Sequence, residues 1–291
     1  MRLALNLMVI RGKVQTPLVL IALVLLLGIG CANFFSDMAP KDTDAIRLYE
    51  AKRLLDRSNW DGVLSKIAEL STAAQATREV QILRASAYAG RCGLEFISLI
   101  DNINRGTGGR LFQTLFAGFQ NSTVAKASDC VTAEGILRDL WASSGTLSTD
   151  ERLMLTFVSF AKIGATLNYF GDNESTSAAD DGNNVLDPAF DACNNGHLPV
   201  ASASELVVAV SLVYQNMVEI ASAGVTLISS VKDQIDDVCS QAVNVCNVSY
   251  SSQATPTQRT AIRALTNENT AVGLGICAGD ITTCIVGCAG N

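Results

Sequence analysis

Beyond residue 42, apolar residues recur along most of the chain at spacings of three and four, the period that places them on one face of an α-helix. From Thr43 the run Ala45, Leu48, Ala51, Leu54 and Leu55 predicts a first helix, capped by Thr43 or Asp42. After a break at Ser58-Asn59, Trp60, Val63, Leu64, Ile67 and Leu70 predict a second, and the two together make a helical hairpin. A third helix opens at residues 76–80 and carries Ile82, Leu83, Ala85, Ala87, Tyr88 and Ala89. A turn at 90–93 leads into a fourth with Leu94, Ile97, Ile100 and Ile103. Further helices are expected over 131–141, from 152 to about 170 behind the capping signature Ser148-Thr149-Asp150-Glu151, and from 255–256 to about 269. The longest is expected over 203–245, capped by Ser204, with Leu206, Val207, Val210, Val213, Met217, Ile220, Val225, Ile228, Val231, Ile235 and Val238 in period and a bend at Gly224. No strand alternation of comparable length competes. The predicted fold class is all-α, built from antiparallel helical hairpins.

Two stretches qualify this pattern. Leu111, Phe112, Leu115, Phe116 and Phe119 follow the break Gly106-Thr107-Gly108-Gly109 on one helical face. Such a stripe touches a membrane or a partner in some proteins, but a membrane-surface helix carries a basic polar face, and Arg110 is the one nearby charge, so the stripe is read as core. Residues 271–291 hold five glycines and three cysteines and read as a loop-like, disulfide-stapled cap.

The first two hairpins also repeat. Ala51 maps onto Ala85 at a spacing of 34, and Leu64, Ile67 and Leu70 map onto Ile97, Ile100 and Ile103 at 33, close to one tetratricopeptide unit. Leu48, Ala51, the Asn59-Trp60-Asp61 turn and Val63-Leu64, then Ala85, Tyr88 and Leu94-Glu95, give a segment that resembles the tetratricopeptide-repeat family over about 60 residues. Residues near 75 lack that family's proline, and the period is lost after about residue 105. The resemblance implies stacked hairpins whose concave groove binds a protein or peptide, with Arg47, Tyr49, Arg84 and Tyr88 as its partner-binding residues.

The N-terminus has a different character. Residues 1–13 carry Arg2, Arg11 and Lys13 and no acid, and Leu18 to Ile29 is unbroken apolar sequence ending at Gly30-Cys31. At 12 residues this run is shorter than the ~20 that span a bilayer, so it is read as an export signal. Gly30-Cys31 resembles the lipobox of bacterial lipoproteins, which implies lipidation at Cys31. Ala32 rather than Asp after that cysteine implies anchoring in the outer membrane, facing the periplasm.

Cysteine usage agrees. Of nine cysteines, setting aside Cys31 leaves Cys92, Cys130, Cys193, Cys239, Cys246, Cys277, Cys284 and Cys288, an even number that can pair completely in an oxidising compartment. Cys92–Cys130 and Cys239–Cys246 are the two pairings expected. No Cys-x2-Cys occurs and His197 is the one histidine, which argues against a zinc site. Three of the 21 basic residues precede Cys31 and all 28 acids follow it, so the chain from Cys31 onward carries a formal net charge of −10. That balance excludes a nucleic-acid partner.

One segment interrupts the helices. Residues 171–198 crowd Asp172, Asp180, Asp181, Asp187 and Asp191 with amides around Gly182. The spacing does not fit an EF-hand, and the segment is read as a solvated, mobile loop, with calcium held by Asp172, Asp180, Asp181 and Asp187 as the alternative. No other cofactor is implied. Catalytic constellations are lacking: His197 stands alone in the loop, the glycines at 106–109 lack the lysine of a phosphate loop, and Asp236-Asp237 point different ways on a helix.

The expected organisation is a signal over 1–30, a lipidated tether over 31–40 and a helical domain over 41–291. Within that domain, repeat-like hairpins fill 41–104, further helices 105–170, the acidic loop 171–200, helices again 201–270 and the cap 271–291. The expected function is an envelope scaffold for a protein or peptide partner, tied to the membrane by its lipid, and not an enzyme. The alternatives are a carrier whose apolar cavity is lined by Phe112, Phe116, Leu155 and Val210, and an enzyme of unknown chemistry.

Overall fold

The computed structural model describes residues 43–105, 109–173, 182–222, 229–240 and 243–288. The export signal, Cys31 and the tether lie outside the described residues. The chain divides into a unit of residues 1–47 and a unit of residues 48–291. In the first, the Thr43 carbonyl accepts from the Ile46 and Arg47 amides at 3.0 and 3.1 Å and opens helix α1 (Asp44–Leu55), which runs on into the second.

The second unit is all-α. After α1 come α2 (Trp60–Ala68), the single turn α3 (Thr72–Gln75), α4 (Arg78–Cys92), α5 (Phe96–Arg105), α6 (Leu111–Gly118), α7 (Val124–Ser144), α8 (Thr149–Asn168), α9 (Val200–Ser222), α10 (Ser229–Cys239), α11 (Pro256–Asn267) and α12 (Ile281–Cys288). Local chemistry sets their starts. Asn59 caps α2 through the Gly62 amide, Thr123 caps α7 through Lys126, and Ser148 with Glu151, and Thr255 with Gln258, close capping boxes on α8 and α11. Gly93 and Gly145, both at positive φ, end α4 and α7.

At the centre lies α8. From Leu155 to Asn168 every side chain is buried, so this helix is enclosed all round, as a core helix must be. It packs against α6, α7 and α9, and α11 lies on the far side of α9. The stretches Thr149–Asp172 and Val200–Ala221 are long and apolar enough to cross a membrane, yet 78% and 67% of their most apolar windows are buried inside the protein, which makes them core helices of this bundle. The phenylalanine stripe on α6 is core, with Phe112 and Leu115 fully buried and Phe116 and Phe119 nearly so.

The smaller core at the N-terminal end holds Ala51, Val63, Ile67, Leu70, Val80, Leu83 and Ala87. There α2 packs on α4, and Trp60 lies so close to Gly90 that a Cβ at that glycine would come within 2.4 Å of the indole. Helix α4 is fastened to the main bundle at both ends. Arg78 makes a bidentate pair with Glu151 at 2.7 and 2.5 Å, and Arg91 a bidentate pair with Asp129 at 2.8 and 2.6 Å. Next to Arg91, Cys92 is bonded to Cys130 across a Cα separation of 5.1 Å.

The other bridges join Cys193 to Cys288, Cys239 to Cys246 and Cys277 to Cys284. The two expected pairings are present, and three of the four bridges lie beyond residue 190.

Several expectations need correcting. Cys130 sits inside α7, which begins seven residues earlier than the apolar period indicates. The 203–245 helix is two helices, α9 and α10, with Gly224 among residues outside the described set; Ser204 is not its cap but back-bonds to the Val200 carbonyl at 3.0 Å. Helix α5 packs chiefly on α6 instead of doubling back on α4, whose main neighbours are α2 and α7. The region after 271 includes the helix α12, set by bridges at Cys277–Cys284 and Cys193–Cys288.

The acidic loop also differs from a wholly solvated one. Residues 174–181, including Asp180 and Asp181, lie outside the described residues. Residues 187–198 turn back into the bundle: Phe190, Ala192, Cys193 and Leu198 are core, Ala192 donates to Asn267 Oδ1 at 3.0 Å, and Arg263 donates to the Leu198 carbonyl at 2.6 Å. Apolar residues are few in this segment, yet these four leave almost no surface exposed.

A carboxylate organises the C-terminal end. Glu268, 1% exposed, accepts the amides of Thr270, Ala271, Val272 and Gly273 at 2.5 to 2.8 Å. The loop so folded takes the Phe112 amide on the Val272 carbonyl at 2.7 Å and Arg110 on the Asn269 carbonyl at 2.8 Å, tying α6 to the region after α11. Glu268→Ala leaves four amide donors without that acceptor, and urea unfolding of the oxidised protein is expected to show a loss on the order of 3 kcal/mol. Glu268→Gln should lose less, since its amide oxygen still accepts.

Candidate functional site

Two places in the larger unit concentrate polar chemistry: an open cleft and a buried charge cluster. The cleft has a volume of about 480 Å³ and lies where the end of α4, helix α5, the end of α6 and the start of α7 meet. Cys92 and Gly93 are among its lining, so the Cys92–Cys130 bridge is part of its frame. On one side stand Glu95, Ser98 and Asn102, with the Ser98 hydroxyl donating to Glu95 Oε2 at 3.1 Å. On the other stand Gln120, Ser122 and Lys126.

The second wall is held firmly. Asn121 adopts φ 53°, which turns the chain sharply between α6 and α7. Ser122 donates its hydroxyl to the Phe119 carbonyl at 2.6 Å and its amide to Asn168 Oδ1 at 3.0 Å, and the Lys126 ammonium donates to the Asn121 carbonyl at 2.9 Å. Beneath it, Phe119 rests on Gly164 of α8, where a Cβ would come within 2.3 Å of the ring and 2.7 Å of the Leu115 carbonyl. The close approach needs glycine. The cleft thus offers one carboxylate, one ammonium and two amides on a rigid floor. On the helices that supply its lining, Ile97 of α5 is 81% exposed and Val124 of α7 64% exposed.

The buried cluster is of another kind. Lys162 of α8, whose side chain is fully buried, donates to Glu134 of α7 and to Glu205 of α9, the latter at 2.9 Å. Ser159 donates to the second oxygen of Glu134 at 2.9 Å, and Arg138, one turn along α7, lies 3.8 Å from Glu134 and 4.4 Å over the ring of Tyr250. Two cations face two carboxylates, so the group is neutral in sum. Burial pushes the Glu205 carboxyl up, but the Lys162 charge, hydrogen bonds from Lys162 and Ser251 and the Arg138 charge outweigh it and hold Glu205 below the ordinary carboxylate range. With its protons directed at carboxylates, Lys162 serves as a tie between three helices.

The residues singled out from the sequence are dispersed. Arg47 belongs to the smaller unit, within α1. Tyr49 is 62% exposed, with Arg53 5.9 Å from its ring centre; Arg84 donates to Gln75 Oε1 at 3.0 Å; Tyr88 is half-buried with Arg91 at 5.3 Å. Among the described residues no hydrogen bond or ring contact joins Tyr49, Arg84 and Tyr88. Asp172 is buried and accepts the Asn184 amide at 3.1 Å on both oxygens, and Asp187 is buried beside it in the chain's return, its amide on the Gly171 carbonyl at 2.8 Å. No three acidic, histidine or cysteine side chains gather as metal ligands among the described residues. His197 accepts the Asp191 amide at 3.1 Å and stacks on Phe190.

Neither the cleft nor the charge cluster is among the sites expected from the sequence. For the cluster a signal exists: Lys162 is the sole charge between Arg152 and Asp172 in an otherwise core-like helix. For the cleft none exists, because its lining comes from four elements with no shared period. Comparison with protein-family models, curated proteins and solved structures finds no match to this chain.

Lys162→Met strands Glu134 in the interior and removes the partner of half-buried Glu205, and is expected to cost on the order of 3–5 kcal/mol in chemical denaturation, while adding Glu134→Leu to it should recover part of that loss. Acid should act in the same direction. Arg78 lowers Glu151 from 4.5 to about 2, against burial, and Glu205 and Glu268 are lowered too. A depressed carboxyl stabilises the fold fully above its unfolded value and loses that contribution as the pH falls through its folded value. Unfolding free energy should therefore be flat between pH ~5 and neutrality and fall steadily toward pH ~2; Arg78→Met should flatten the lower part of that fall, measured by urea titration at fixed pH.

Proposed function

We propose that the chain is an exported, lipid-anchored binding protein that takes a protein or peptide partner in the cleft between α5 and the α6–α7 turn. The observation that carries this reading is the cleft's lining. Asn102 and Gln120 each offer a donor and an acceptor, the pairing that a peptide main chain presents, while Glu95 and Lys126 supply opposite charges that fix direction. Ile97 and Val124, exposed on the same helices, offer apolar surface that a partner extending past the cleft would cover.

Placement in an oxidising compartment is supported by the pairing of all eight cysteines after Cys31, an arrangement that cytosolic thiols do not maintain. The lipid anchor at Cys31, on the outer membrane and facing the periplasm, remains the reading of the N-terminal sequence. The cleft is favoured over the groove of the first hairpins because Arg84 is engaged by Gln75 and Tyr88 is half-buried. It is favoured over an interior carrier cavity because Phe112, Phe116, Leu155 and Val210 line neither the 480 Å³ cleft nor the 240 Å³ recess found among the described residues.

Photo-crosslinking in intact envelopes tests the site. A benzophenone side chain at Gln120 or Ile97 is expected to give one discrete adduct, lost on Lys126→Glu and absent from a control at Val218. Adducts of equal yield at Val218, or none at the cleft, would remove the assignment. Cys31→Ala should shift the protein from the membrane pellet to the soluble fraction or leave its signal uncleaved, and unchanged lipid labelling of that variant would count against the anchor.

A further inference from the structure

A second recess, of about 240 Å³, lies at the junction of α1 and α2 and is lined by Glu50, Arg53, Leu54, Arg57 and Lys66. Its chemistry runs against that of the chain. The protein has 28 acids and 21 basic residues, yet here three cations face one carboxylate. The turn between the helices makes this possible: Ser58 at φ 55° reverses the backbone, and Asn59 starts α2 by capping Gly62 at 3.0 Å, so that Arg57 and Lys66 come beside Arg53.

The three cations are not equally committed. Lys66 is engaged by Glu50 at 3.2 Å and Glu69 at 3.1 Å. Neither Arg53 nor Arg57 has a carboxylate partner among the described residues, and the Arg53 guanidinium lies 5.9 Å from the centre of the Tyr49 ring. Two exposed guanidiniums bordering a recess with a neighbouring ammonium form a fork suited to a phosphate, which they bind through paired N–H donors.

We infer that this recess seats the phosphate of an anionic phospholipid headgroup. Two observations select a lipid over free phosphate. Tyr49, 62% exposed beside Arg53, is an amphipathic ring of the kind that lies at headgroup level. Thr43 stands 12 positions after Cys31, a reach of no more than about 40 Å when extended, so a lipidated chain would hold α1 close to the bilayer. The choice of a membrane rests on the anchor reading; the anion chemistry does not.

The full chain, reconstituted into phosphatidylcholine vesicles with or without phosphatidylglycerol, separates these points when lysine acylation is followed by mass spectrometry. Phosphatidylglycerol is expected to slow acylation of Lys66 on the order of tenfold and to leave Lys126 on α7 unchanged. Arg53→Gln with Arg57→Gln should abolish that slowing with helical content retained, and Glu50→Gln, which removes the one carboxylate of the recess, should deepen it. Equal Lys66 rates in the two vesicles, equal slowing at Lys126, or the same slowing from inorganic phosphate over phosphatidylcholine alone would each overturn the inference. The mass at Cys31 in the same samples reports the anchor separately: an unlipidated Cys31 overturns the anchor while the Lys66 rates still decide the seat.

Discussion

The larger unit depends on enclosing a helix that carries a lysine. Helix α8 has no solvent face over its last four turns, so every polar atom on it must find a partner inside. Lys162 draws Glu134 from α7 and Glu205 from α9, Ser159 completes Glu134, and Asn168 receives the Ser122 amide. These contacts are directional where apolar packing is not. They fix the rotation of α7 and α9 about α8, and α9 in turn sets α11. A wholly apolar α8 could pack as tightly, but its neighbours could slide by a turn without an unsatisfied charge to oppose them.

From that centre, order spreads outward through helix ends. Helix α4 carries the N-terminal core and is held by Arg78 at its first turn and by Arg91 and Cys92 at its last. Its partner Glu151 is anchored in its own right by the Ser148 capping box. At the opposite end, Glu268 folds four amides around one carboxylate, and Arg110 and Phe112 carry that order back to α6. The cleft lies between these fastened regions. Its walls belong to α5, α6 and α7, and its shape is inherited from the Cys92–Cys130 bridge and from Phe119 on Gly164.

The range of each interaction determines whether it was legible in the sequence. Helices with a local apolar period and a side-chain cap, such as α2, α8 and α11, could be read directly, because both signals lie within a few residues. Helix α12 could not: its glycines and cysteines point to a loop, and its helical form depends on bridges to Cys193 and Cys277. The return of the acidic segment into the core was hidden for the same reason, since Phe190 and Leu198 are isolated apolar residues in a segment whose partners lie about 70 residues away. Cys92–Cys130 was accessible because both cysteines sit near predicted element ends, and Cys239–Cys246 because the two are only seven residues apart and close a local loop. The cleft was not, being a product of tertiary placement alone.

The distribution of cations separates residues that hold the fold from residues that face outward. In a protein with an excess of acids, several basic side chains are fastened to carboxylates: Arg78 to Glu151, Arg91 to Asp129, Lys162 to Glu134 and Glu205, Lys232 to Asp236. Others are held by carbonyls, Arg110 by Asn269 and Arg263 by Leu198. Each of those pairs also joins elements or lies within a turn, so its cost in lost hydration is offset by fixing the fold. Arg53 and Arg57 fasten nothing of this kind, and they are exposed at the end of the described chain nearest Cys31 in sequence. A charge that neither packs nor pairs contributes little to stability. Its effect is felt instead by what approaches from outside, and in a chain of net charge −7 that effect is confined to the face where the two guanidiniums stand together.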